Sequence, residues 1–236
     1  MDEDKKEISL ENFEERIGVH FNDKRLLCQA FTHRSYINEN KECKLGHNER
    51  LEFLGDAVLE LVITDYLYHT YPSKPEGELT SLRSALVNTV SLQRVAKSLE
   101  INGNLYLSRG EAKDMGRARE YILANAVEAL IGAIYLDQGY DKAKDFIERF
   151  ISIRTEEIER KKLWVDAKSF FQEKAQEKES ETPVYRVLKE EGPDHDRHFT
   201  CGVYLKDELI AEGEGQSKQE AEQEAASEAL EKKGWK

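Results

Sequence analysis

From Ile122 to Asp137 the chain is apolar almost all round. A helix without a polar face is stable only when other elements enclose it, so this segment calls for a bundle of neighbouring helices. Two polar residues interrupt it, Asn125 and Glu128, one turn apart on one side. A buried polar pair costs free energy unless satisfied, so the two either hydrogen-bond within the core or share a ligand.

A second run makes the same demand with more charge. Residues 49–56 read Glu49-Arg50-Leu51-Glu52-Phe53-Leu54-Gly55-Asp56 and continue as the apolar Ala57-Val58-Leu59-Glu60-Leu61-Val62-Ile63. At 3.6 residues per turn, positions 49, 52 and 56 fall on one stripe. Three acids converging on one patch repel one another, which fits either a solvated face or a bound divalent cation. Few basic residues stand at helical neighbour spacing to offset them, which favours the cation.

The 236 residues exceed the usual size of one domain, so two are expected. Apolar residues make up 39%, enough for folded cores, and no stretch of about 18 apolar residues occurs, which excludes a membrane-spanning helix. The N-terminal Met1-Asp2-Glu3-Asp4-Lys5-Lys6 is acidic with no apolar segment behind it, unlike a secretory signal. Cys28, Cys43 and Cys201 are odd in number and lack paired metal spacing, which fits reduced thiols; a cytoplasmic protein is expected. The net charge of −12 argues against gripping nucleic acid by bulk electrostatics. Neither half is basic: residues 1–165 carry 24 basic and 29 acidic residues, residues 166–236 carry 11 and 18.

Helical patterning fills the first two-thirds of the chain. Ser9 is expected to cap a first helix ending at Gly18, and Asp23 a second; Asn38 to His47 reads as a loop. The acid-bearing helix should run to about Tyr68, with further helices near 78–87, 91–99, 121–138 and 141–158, and a loop from Gly103 to Arg119. The charged stretch at 159–165 reads as a linker. Beyond it the period changes. A helix capped by Asp166 should reach Glu179, followed by strands at 184–188, 198–205 and 208–212 and a last helix capped by Ser217. Phe199, Cys201, Val203 and Leu205 alternate inward in the middle strand.

The block Asn48-Glu49-Arg50-Leu51-Glu52-Phe53-Leu54-Gly55-Asp56, supported by the run from Ile122 to Asp137, resembles the signature of the ribonuclease III family, enzymes that cleave double-stranded RNA. The α-β-β-β-α order after residue 166, with Gly192-Pro193-Asp194-His195 and Gly213-Glu214-Gly215-Gln216-Ser217-Lys218 in its loops, resembles a double-stranded RNA-binding domain. Together they imply a mainly α protein: an all-α endonuclease domain over residues 8–158, a linker at 159–165 and an α-β-β-β-α domain over 166–236.

The resemblance implies hydrolysis of phosphodiester bonds in double-stranded RNA to 5′-phosphate and 3′-hydroxyl ends, in rRNA and mRNA processing. Glu52, Asp56, Asn125 and Glu128 would hold Mg²⁺, with Mn²⁺ as a substitute, and Asp56 and Glu128 would be catalytic. Glu49 and Glu76 match acids lining the same cleft. Asn125 stands where the family usually has Asp; an amide oxygen can ligate a hard cation but lacks the charge. The alternative is therefore a catalytically weak or inactive RNA-binding regulator. Phe53 matches a residue that inserts into the partner subunit of a homodimer joined through the endonuclease domain; read on its own, it fits plain core. Thr32-His33-Arg34-Ser35-Tyr36 also resembles a family block, and His33 reads as structural. In the C-terminal domain Ser169, Gln172, Glu173 and Gln176 match minor-groove contacts, His195 a loop contact, and Ser217 with Lys218 a phosphate contact.

Overall fold

The structure, a computed structural model, describes residues 3–114, 116–160, 167–192 and 197–235. It divides into two compact units, Met1–Trp164 and Val165–Lys236. No helix among the described residues is long and apolar enough to cross a membrane.

The first unit contains helices α1 (Glu3–Ile17), α2 (Lys24–Ala30), α3 (Arg34–Glu39), α4 (Glu49–Thr70), α5 (Glu76–Val87), α6 (Thr89–Ser98), α7 (Arg109–Lys113), α8 (Arg117–Gln138), α9 (Tyr140–Phe150) and α10 (Thr155–Arg160), with 3-10 turns at Ile101–Asn104 and Ser152–Arg154. Helix α8 is enclosed as its composition requires. Ile122, Leu123, Ala126, Val127, Leu130, Ile131 and Ile134 are buried, and α2, α4, α6 and α9 pack around it.

The α4–α8 crossing is so close that main chains touch. A Cβ on Gly55 would stand 1.7 Å from the carbonyl oxygen of Glu128, and one on Gly132 would stand 2.2 Å from that of Leu51. Glycine inside a helix costs about 1 kcal/mol relative to alanine. Here it lets the two helices that carry the acidic residues meet.

Several boundaries differ from the sequence reading. Helix α1 begins at Glu3, so Ser9 lies inside it rather than at its cap; the charged residues from Glu3 to Glu7 propagate a helix well, and acids favour its first turn. Gly18, at φ +70°, ends it as expected. The segment from Gly103 to Arg119 is not all loop. Ser108 caps the five-residue α7 by accepting the Glu111 N–H at 3.2 Å, and α8 starts at Arg117. The expected helix at 141–158 is broken by the turn at 152–154. Glu159 and Arg160 belong to α10 rather than to a linker; the rest of that stretch and Asp166 lie outside the described residues.

The second unit contains α11 (Ala167–Glu179), strands β1 (Val184–Glu191), β2 (His198–Leu205) and β3 (Glu208–Gly215), and α12 (Lys218–Lys233). The sheet is antiparallel in the order β1-β2-β3. Phe199, Cys201, Val203 and Leu205 are buried, as their alternation predicts. Phe171 and Ala175 of α11 share a core with Val203, Leu205 and the α12 residues Ala225, Ala226, Ala229 and Leu230. The alanine stripe lets α12 lie directly on β3, where a Cβ on Gly213 would come 2.1 Å from the Ala225 nitrogen. That contact explains why β3 continues through Gly213 and Gly215 instead of ending at Glu212.

Candidate active site

Helix α4 is anchored where it begins. The buried Asn48 donates its backbone N–H to Thr32 O (2.9 Å) and its Nδ2 to Ala30 O at 3.2 Å. Glu49 and Glu52 then occupy the first turn, where the positive end of the helix dipole favours acids. Asp56 follows one turn later, beside Gly55. Because Gly55 packs on the Glu128 carbonyl, the side chains of Asn125 and Glu128 reach the same patch from α8.

The electrostatics record how tightly these groups converge. Burial pushes the Glu128 carboxyl up to about 8, and the neighbouring Asp56 and Glu52 push in the same direction. Burial also raises Glu52; a hydrogen bond with Asn125 opposes the rise, while Glu49 and Asp56 add to it. No lysine or arginine contributes to either shift. The cluster is a set of mutually repelling oxygen donors restrained by one amide.

Glu49 lies at the rim. Its carboxylate faces Arg34 Nη1 at 3.2 Å and His47 Nδ1 at 3.6 Å. Glu76 is exposed on the first turn of α5 and accepts the Thr80 hydroxyl at 2.9 Å; it is not among the charges that raise Glu52 or Glu128. His33 caps α3, its Nδ1 accepting the Ser35 N–H at 3.3 Å and standing 2.8 Å from the Ser35 hydroxyl, and burial lowers its pKa. That is a structural role.

The donor set suits a hard divalent cation by its chemistry: three carboxylates and an amide oxygen. Among the described residues, no group of three or more His, Cys, Asp or Glu side chains is already drawn together as metal ligands.

Phe53 is 81% exposed, which rules out the plain-core reading. Leu61 and Tyr68 lie on the same side of α4 and are also exposed, so the acidic stripe is flanked by an apolar one.

In the second unit Ser169, Gln172, Glu173 and Gln176 line a shallow concavity on α11 together with Glu177. Ser217 caps α12 by accepting the Glu220 N–H at 3.2 Å, and Lys218 lies in the first turn with Nζ 5.7 Å from the Phe199 ring centre. His195 lies outside the described residues.

Sequence reasoning passed over Gly55 and Gly132, whose contact aligns the two acidic helices. Their signal was a glycine inside each of two otherwise strong helical runs. It also passed over Arg34 and His47, which face Glu49 from outside its helix.

Comparison with known proteins gives a consistent result. A family model described as ribonuclease-III-like matches residues 23–154, and one for the double-stranded RNA binding motif matches residues 167–233. Ribonuclease 3 of Carboxydothermus hydrogenoformans is 48% identical over 224 residues, covering 95% of this chain and 94% of the relative. Ribonuclease 3 of Pelotomaculum thermopropionicum is 46% identical over 215 residues, covering 91% and 89%. Among solved structures, the nuclease domain of ribonuclease III from Campylobacter jejuni superposes with a TM-score of 0.56 at 42% identity, over 61% of this chain and 96% of that one.

Proposed function

Because this chain belongs to the ribonuclease III family and is an endoribonuclease acting on double-stranded RNA, we propose that its active site is the patch formed by Glu52, Asp56, Asn125 and Glu128. These four would hold Mg²⁺, with Mn²⁺ able to substitute. When bound, the ion supplies a water activated near neutral pH and relief of charge on the phosphate oxygens. The observation that carries the reading is Glu128, pushed up to about 8 by burial and by Asp56 and Glu52 with no basic residue to offset them. A divalent cation removes that penalty.

The chain's own residues would act as follows. Glu52 and Asp56 orient the site from α4, and Glu128 completes it from the buried helix. The hydrogen bond with Asn125 favours the ionised form of Glu52, which is the form that binds a cation. Glu49, restrained by Arg34 and His47, would line the cleft. Glu76, which is not among the charges that raise Glu52 or Glu128, would line the cleft only in a larger assembly.

The exposed stripe headed by Phe53 supports a homodimer through the endonuclease unit, residues 8–158. Residues 166–236 would bind the duplex through Ser169, Gln172, Glu173 and Gln176 on α11, through His195, and through Ser217 and Lys218 at the start of α12, in keeping with the matched motif. The protein would act in rRNA and mRNA processing in the cytoplasm, leaving 5′-phosphate and 3′-hydroxyl ends. Incubating a long RNA duplex with Mg²⁺, with Mn²⁺ and with a chelator tests the reaction. Fragments carrying 5′-phosphates are expected with either ion and none with the chelator; cleavage in the chelator would refute the metal site.

A further inference from the structure

We propose that Glu220 limits the duplex affinity of the C-terminal unit by placing its own carboxylate at the mouth of α12, where an RNA phosphate is to bind. This rests on the reading of α12 as phosphate-facing. The geometry is specific. Ser217 Oγ accepts the Glu220 N–H at 3.2 Å, and the Glu220 carboxylate turns back to accept the N–H of Gln216 at 2.9 Å. In the usual reciprocal cap, the acid at this position returns to the N–H of the cap residue itself. Here it reaches one residue further out. A main-chain donor just ahead of the helix, which an incoming anion could use, is already taken by an anion of the chain.

Charge in the same turn points the same way. Lys218 contributes the positive charge expected to meet the backbone, and Glu220, two residues on, offsets it. The next acid differs. Glu222 is paired with Lys168 Nζ at 2.5 Å, so its charge is compensated from α11. Glu220 accepts from a neutral amide and pairs with no basic side chain among the described residues, so its charge at the helix mouth is left uncompensated. A duplex must either displace that carboxylate or stand off from the helix end, and both weaken binding.

Glu220→Gln keeps an oxygen able to accept the Gln216 N–H, so the cap survives while the charge goes. It should tighten binding by about three- to tenfold at low salt, the advantage fading as salt rises. Glu220→Lys should tighten it further and steepen the dependence of log affinity on log salt by about one unit. The measurement is fluorescence anisotropy of the full chain with a labelled duplex longer than the ~16 base pairs such a domain spans. It is made without divalent ions, with Lys218→Ala alongside. Tightening by both Glu220 variants and weakening by Lys218→Ala are expected. If Lys218→Ala weakens binding and neither Glu220 variant tightens it, the proposal fails while the phosphate-facing reading stands. Tightening by the lysine variant alone reports an added cation and also overturns it. If none of the three alters affinity, the phosphate-facing reading fails too.

Discussion

Removing the carboxylate of Glu128 should make the metal-free protein more stable, even though the residue is proposed to serve the reaction. In the folded chain its pKa is pushed up to about 8, against an ordinary value of 4.5. The folded state therefore favours the neutral form. Stability is fully present below about pH 4.5 and is lost as pH rises through 8. At about pH 7.5 the charge penalty works out near 4 kcal/mol, at about 1.4 kcal/mol per pH unit. Partial exposure and water screening reduce this to about 2 kcal/mol. Glu128→Gln keeps the shape and deletes the charge. In chelator at about pH 7.5 its melting temperature should exceed wild type by roughly 4–8 °C, as expected for a unit of this size. The difference should vanish near pH 5 and shrink in Mg²⁺, which stabilises wild type by binding the folded form. Scanning calorimetry at the two pH values, with and without Mg²⁺, makes the test. A variant less stable than wild type at pH 7.5, or a gain independent of pH, would refute the reasoning.

Asn125→Asp should destabilise the metal-free fold by adding a charge beside Glu52, Asp56 and Glu128, while lowering the Mg²⁺ concentration for half-maximal cleavage; identical metal curves for mutant and wild type would place Asn125 outside the coordination sphere. Gly55→Ala drives a methyl to 1.7 Å from the Glu128 main-chain oxygen, so α4 and α8 must part; a loss above about 3 kcal/mol in denaturant unfolding is expected, and a loss under about 1 kcal/mol would contradict the close crossing. Phe53→Ala removes the most exposed apolar side chain of α4; sedimentation should show a weakened dimer with an unchanged monomer fold, and an unaltered dimer would place the interface elsewhere.

The polar residues of the candidate site stand out in the sequence because each interrupts an apolar helical run, where any acid or amide calls for a partner. Spacing alone put Glu52 and Asp56 on one side of α4, and Asn125 and Glu128 on one side of α8. That these two helices cross was not legible. It depends on Gly55 and Gly132 meeting, and sequence shows that a glycine is present without showing what it touches. Among the elements, α7 escaped because five residues are too few to show a period. Strand β1 runs on through Lys189, Glu190 and Glu191 because that stretch is solvated on both faces, so no alternation marks it. The middle strand shows the opposite: one face is buried, so alternation marks its whole length in the sequence.

If the acids brought together by α4 and α8 perform the cleavage while the C-terminal unit binds the duplex, losing one acid must separate the two activities. The most direct measurement follows cleavage and binding of one RNA duplex by wild type and Glu128→Gln at saturating Mg²⁺. Cleavage by the variant should fall by orders of magnitude with the dissociation constant changed less than about twofold, as expected when a metal ligand is lost without touching the binding surface. Cleavage at the wild-type rate would contradict the account.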